Sequence, residues 1–190
     1  MRYRTIAVAG LLAAASVAGA QDSKPVRLEI RPFAGTYLPT GTQADEFKQG
    51  PMFGAQAALE LSSNFHVLGS VGWTNSHSKF GALVSDQAHM LQYDAGLEVN
   101  GVREFGQKYL LRPFVGVGAG ARSYQYKDAG IGTKTCVEGY AGLGSELQRG
   151  AFALRFETRG YVSCFKQPFS SEKKIRNDAS FMLGLAYHIT

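Results

Sequence analysis

The sequence predicts an all-β fold, an eight-stranded antiparallel up-and-down transmembrane β-barrel preceded by a cleavable signal peptide. Three observations predict it. Apolar residues recur with period two in segments of about ten residues or more, long enough to cross a bilayer as tilted strands. The connections alternate between short turns and long loops, as expected when one rim faces the periplasm and the other the outside. Beyond residue 20, no window approaches the ~18 consecutive apolar residues that a transmembrane helix needs.

The composition agrees. The chain has 190 residues, of which 45% are hydrophobic, 12% aromatic and 18% charged, with 23 glycines. That length suits one domain with a sizeable core, and the aromatic content and low charge exclude disorder. At the N-terminus Arg2 and Arg4 precede the apolar run Ile6 to Val17 and the small-x-small site Ala18-Gly19-Ala20. Residues 1–20 read as a secretory signal peptide and 21–190 as the barrel domain. No cysteine near the cleavage site suggests a lipid anchor. Losing Arg2 and Arg4 takes the formal charge from +5 to +3, too small an excess to point to nucleic acid.

Strands are expected near 26–37, 51–62, 65–75, 88–100, 109–124, 135–148, 151–163 and 178–190. In the first, Leu28 and Ile30 give way to Phe33 and Tyr37, a change of parity at Pro32 that predicts a bulge. In the second, Phe53, Ala55, Ala57, Leu59 and Leu61 alternate with Gly54, Gln56, Ala58 and Glu60. The fourth sets Leu91, Tyr93, Leu97 and Val99 against Asp94, Gly96 and Glu98. The fifth sets Leu111, Val115 and Val117 against Arg112, Gly116, Gly118 and Gly120, and the seventh Phe152, Leu154 and Phe156 against Arg155, Glu157 and Arg159. In the eighth, Phe181, Leu183, Leu185, Tyr187 and Ile189 alternate with smaller or polar residues. Turns fall at Ser63-Asn64 and Arg149-Gly150, with a longer connection at 101–108. Long loops fall at 38–50, 76–87, 125–134 and 164–177.

Aromatic residues set the direction of the apolar face. Phe53, Trp73, Tyr93 and Phe181 gather at the loop ends of their strands, and Phe65, Tyr109, Phe152 and Tyr187 at the turn ends. Two such belts around an aliphatic band match the two interfaces of a bilayer, so this face meets lipid. The opposite face then lines the lumen. By parity it holds Glu60, Asp94, Glu98, Glu138, Glu146 and Glu157 against Arg112, Arg122, Arg155 and Arg159, with Arg27, Glu29 and Arg31 from the first strand. Desolvating lone charges costs several kcal/mol, so a salt-bridge network is expected. One register allowed by parity sets Arg112 opposite Glu146, Gly118 opposite Tyr140 and Gly120 opposite Glu138. In the next hairpin, the expected register sets Gly144 opposite Arg155 and Gly142 opposite Glu157. Large side chains opposite glycines would fit the narrow lumen of eight strands.

The stretch from Leu111 to Ala121, then Gly142 to Glu146 and Leu154 to Arg159, with Arg31 to Gly35 and Gly184 to Ile189, resembles the outer-membrane protein beta-barrel domain family of small eight-stranded bacterial barrels. The resemblance spans essentially the whole mature chain. It implies residence in the bacterial outer membrane after signal-dependent export, and insertion by the barrel-assembly machinery. Gly184, Tyr187 and Ile189 would be the C-terminal assembly signal.

Four features are candidates for chemistry. Gly116 to Ala121 satisfies G-x-G-x-x-A, but alternation runs through it without a strand-to-helix junction, so no dinucleotide or other cofactor is expected. Cys136 and Cys164 are one position from direct opposition, and a bulge at Gly139 or Gly160 would allow a disulfide. Ser76, His77 and Ser78 offer a base beside hydroxyls, but neighbours in a strand point to opposite faces, and no catalytic site is expected. Lys166, Lys173, Lys174 and Arg176 would make the last long loop basic and suited to anionic surfaces. No His/Cys cluster has metal-ligand spacing.

The expected protein is a monomeric outer-membrane barrel with a closed, salt-bridged lumen. It would contact membrane lipid and lipopolysaccharide, bind no nucleic acid, and serve a structural or surface-interaction role through its loops. The alternatives are a lipid A-modifying enzyme, a narrow channel for small solutes and a soluble lipocalin-like binder.

Overall fold

The computed structural model describes residues 27–41, 44, 47–77, 87–105, 108–126, 133–166 and 173–189. The signal peptide, Ser78 and the tips of the three later long loops lie outside these residues. The strands are β1 (Arg27–Thr40), β2 (Gly50–Ser62), β3 (Phe65–His77), β4 (Gln87–Asn100), β5 (Arg103–Phe105), β6 (Tyr109–Tyr126), β7 (Lys134–Arg149), β8 (Phe152–Lys166) and β9 (Lys173–Ile189). All except the three-residue β5 are long. β5 folds against β6 within the 101–108 connection, with Arg103 opposite Leu111.

Every long strand pairs antiparallel with its chain neighbours. β4 pairs with β6 past the short β5, and β1 with β9, closing a ring of eight without a free edge. The long strands run from 13 to 18 residues, more than the ~9–11 needed to cross a hydrocarbon core. In the last hairpin Lys166 pairs with Lys173, so the strands reach well into the segment expected as loop. Backbone pairing does not require apolar side chains, so the ladder continues where hydrophobic alternation stops.

The apolar face points outward. Val115, Val117, Leu143 and Leu183 are more than half exposed, whereas Glu98, Arg122, Arg159 and Asp178 are buried. This is the reverse of a soluble ligand-binding barrel. Around the outer rim Phe53, Trp73, Tyr93 and Phe181 stand exposed, with Phe53 paired to Trp73 across β2 and β3. Around the turn rim Phe152 packs on Tyr187 at 5.1 Å between ring centres, with Tyr109 also exposed and Phe65 half-buried.

Two local expectations are corrected. No bulge occurs at Pro32. The β1–β2 register runs unbroken from Arg27↔Glu60 to Tyr37↔Gly50, so Phe33 and Tyr37 share the inward parity of Glu29 and Arg31. Pro32 faces outward, and the β1–β9 pairing skips from Ile30↔Tyr187 to Phe33↔Gly184 around its missing N–H. The irregularity lies instead between Glu60 and Ser62, beside the Ser63-Asn64 turn.

The β7–β8 turn is also displaced. Arg149 pairs with Phe152, leaving Gly150 and Ala151 as the loop, because Gly150 takes the left-handed conformation (φ 63°) that the first loop position of a tight hairpin requires. The register consequently moves by two. Glu157 faces Gly144, Arg159 faces Gly142, and Arg155 faces Glu146. In the preceding hairpin, Arg112↔Glu146, Gly118↔Tyr140 and Gly120↔Glu138 pair in the register allowed by parity.

Candidate functional site

The inward side chains form two connected polar layers. Nearer the turn rim, Arg31 donates from Nε to Glu29 Oε2 at 2.8 Å and from Nη1 to Glu98 Oε1 at 3.2 Å. Arg155 crosses the lumen to Glu98 and also meets Glu157 at 3.2 Å and Glu146 at 3.5 Å. Its guanidinium lies 3.5 Å above the Phe114 ring centre, a cation–π contact. His188 bridges Glu29 (2.8 Å) and Glu146 (3.4 Å).

Arg159 joins this layer to the next, donating to Glu157 at 2.5 Å and to Asp94 at 3.3 Å. Beyond it, Arg122 pairs with Asp178 at 2.6 Å and Glu138 at 2.9 Å. Its guanidinium lies near the rings of Tyr37 and Tyr161. Gln56, Ser70 and Gln92 donate to the acidic partners. Between the charges stand large aromatics seated over glycine. A Cβ at Gly96 or Gly118 would collide with Tyr140, at Gly54 or Gly144 with Phe33 or Phe114 respectively. Removing that Cβ is what lets a ring and a guanidinium share the narrow lumen of eight strands.

The outer mouth is covered from within the first loop. Phe47 is only 1% exposed and stacks on Tyr124 at 5.9 Å. Lys48 N–H donates to His77 O at 2.9 Å, and Ser76 Oγ donates back to Lys48 O at 2.5 Å. Ser76 is therefore a buried tether, while its neighbour His77 is exposed. The two lie on opposite faces of β3 and form no base–nucleophile pair.

The other candidates distribute as follows. Glu60, Asp94, Glu98, Arg112, Glu138, Glu146, Arg155, Glu157 and Arg159 all carry the inward parity, with Glu60 and Arg112 half-buried. Arg112, although opposite Glu146 in the ladder, reaches Glu29 at 3.9 Å, while Glu146 turns to Arg155 and His188. Arg27 is exposed at the rim.

Arg176, expected on a surface loop, is instead buried at 1% exposure in the lumen, because β9 begins five residues earlier than hydrophobic alternation indicates. The side chains of Lys166, Lys173 and Lys174 lie outside the described residues. Cys136 is buried and inward. The β7–β8 pairing stays uniform through Gly139↔Val162 and Ala141↔Gly160, so the bulge needed for direct opposition is absent there. The Cys164 side chain lies outside the described residues. Gly116 to Ala121 continues inside β6. Gly184 is inward, with Tyr187 and Ile189 outward.

Sequence reading missed Phe47, Tyr37, His66, His188 and Asp178. Parity would have found all but Phe47 had the polar end of β9, the parity of β1 and the neutral partners of the charges been followed.

The family model described as the outer membrane protein beta-barrel domain matches residues 6–190. No curated protein matches the chain. Among solved structures, Neisserial surface protein A is similar at 9% identity and a TM-score of 0.58, over 85% of this chain and 96% of its own. The attachment invasion locus protein Ail of Yersinia pestis is 15% identical with a TM-score of 0.49, over 88% and 100%. The outer membrane protein OprG from Pseudomonas aeruginosa is 13% identical with a TM-score of 0.49, over 87% and 97%. At these identities the likeness is one of fold.

Proposed function

Because this chain belongs to the outer membrane protein beta-barrel domain family of small bacterial outer-membrane barrels, we propose that it works as a closed membrane anchor displaying its outer loops. One observation carries the reading. Ion pairs cross the lumen at two levels, and Phe47 covers the mouth above them. A solute would have to break several buried charge pairs in succession, each costing several kcal/mol to separate in a low-dielectric interior.

Chemistry and contacts with the outside then fall to the connections between these strands, around 41–49, 78–86, 127–133 and 167–172, which face lipopolysaccharide and whatever adjoins the cell. The protein acts as a monomer embedded in outer-membrane lipid, inserted by the barrel-assembly machinery and without catalytic activity. The separation of Ser76 from His77 supports the last point. In planar bilayers the purified barrel is expected to give no discrete conductance steps, and deleting the gene is expected to leave the lipid A mass unchanged. Regular single-channel steps would instead favour a narrow channel, and a shifted lipid A mass a modifying enzyme.

A further inference from the structure

At the turn end of the lumen, three adjacent strands bring together Glu29 of β1, Glu60 of β2 and His66 of β3. One carboxylate oxygen from each glutamate and one ring nitrogen of His66 all lie within 4.8 Å of one another. Glu29 and His66 are each 1% exposed, and Glu60 is half-buried at the rim, which gives the cluster a path to the periplasm. From this cluster we infer a binding site for a single divalent transition cation, with zinc as the best-matched probe.

Two further observations support the site. First, His66 Nδ1 is engaged, lying 2.8 Å from Asn100 Nδ2, 3.3 Å from Arg31 Nη2, which is itself bonded to Glu29, and 3.4 Å from Glu98 Oε1, whereas Nε2 is buried and has no hydrogen-bond partner. A neutral imidazole that donates Nδ1–H to Glu98 presents its Nε2 lone pair as a metal ligand, and a carboxylate behind the ring is the support that metal-bound histidines use. Turning the Asn100 amide over would bring its unpartnered Oδ1 to the same Nδ1–H. Second, Glu29 is held by Arg31 and His188, so its oxygens are already oriented.

The donor set of one imidazole and two carboxylates suits a borderline cation, zinc or manganese, better than a soft one. The ligand atoms need to draw in from 4.8 Å to the spacing that bonds of ~2.0–2.2 Å impose. Glu60, at the rim and absent from the ion pairs among the described residues, is the side chain free to make that movement.

The test uses the mature barrel folded in detergent, stripped with chelator and titrated with Zn²⁺ by calorimetry, its heat-modifiable gel band serving as the control for folding. One Zn²⁺ per chain is expected. Glu60→Gln and His66→Gln should each weaken binding by ~100-fold, at the top of the range seen when support of a metal site is lost. The surface variant His77→Gln, at the exposed outer end of β3, should bind like the parent. Glu60→Gln sits at the rim and keeps the test readable should His66→Gln fail to fold. Absence of stoichiometric binding, or undiminished binding in Glu60→Gln, overturns the site. So does loss of binding in the surface variant.

Discussion

Replacing Arg155 with methionine tests the lumen network at its most connected point. The guanidinium is 3% exposed and touches Glu98, Glu146 and Glu157 while covering the Phe114 ring. Removing a buried charge from its partners costs ~3–5 kcal/mol, mainly because the partners are left uncompensated. Here each carboxylate keeps at least one other partner: Glu98 keeps Arg31 at 3.2 Å, Glu157 keeps Arg159 at 2.5 Å, and Glu146 keeps His188 at 3.4 Å. The loss should therefore fall at the low end, ~3 kcal/mol, or ~100-fold in the unfolding equilibrium. Urea titration of the barrel in phospholipid vesicles, read by the folded and unfolded gel bands, measures it. The double variant with Glu98→Gln should recover part of the loss, with a coupling of ~1–3 kcal/mol. A loss below about 1 kcal/mol, or full additivity of the two changes, would show that these ion pairs do not hold the lumen together.

Two further outcomes follow from the two faces of the strands. Gly118→Val should destabilise the barrel by ~1–3 kcal/mol, since its Cβ collides with the Tyr140 ring, and the same urea titration with Tyr140→Ala in the background should recover part of that loss. Val117→Arg, one residue away but facing outward at 58% exposure, should cost ~2–4 kcal/mol in vesicles, the penalty for an arginine near the bilayer midplane, and an unchanged titration would reverse the assigned face.

Legibility differed between faces for physical reasons. The outward face is read one residue at a time, because lipid rewards each apolar side chain independently of the others. Phe53, Trp73, Tyr93 and Phe181 thus mark a rim without knowledge of their neighbours. The lumen offers no such local rule. Phe33 and Tyr37 look like lipid-facing residues by their chemistry, yet they turn inward because the ladder of β1 runs straight past Pro32. Arg176 looks like a surface cation, yet pairing between polar residues carries β9 back far enough to bury it.

By itself, the sequence determined that this chain is a barrel of eight spanning strands, which side of the strands after the first meets lipid, and most of the charges that enter the interior, Arg176 and Asp178 being exceptions. Alternation with period two encodes these properties locally. Only the tertiary structure decided which charge meets which. Arg31 and Glu98 are 67 positions apart, Arg155 and Glu98 57. Their meeting depends on the stagger around the closed ring and on a turn that moved by one residue at Gly150. The same closure brings Glu29, Glu60 and His66 together, and gives Phe47, a lone aromatic in a polar loop, the mouth of the barrel to cover.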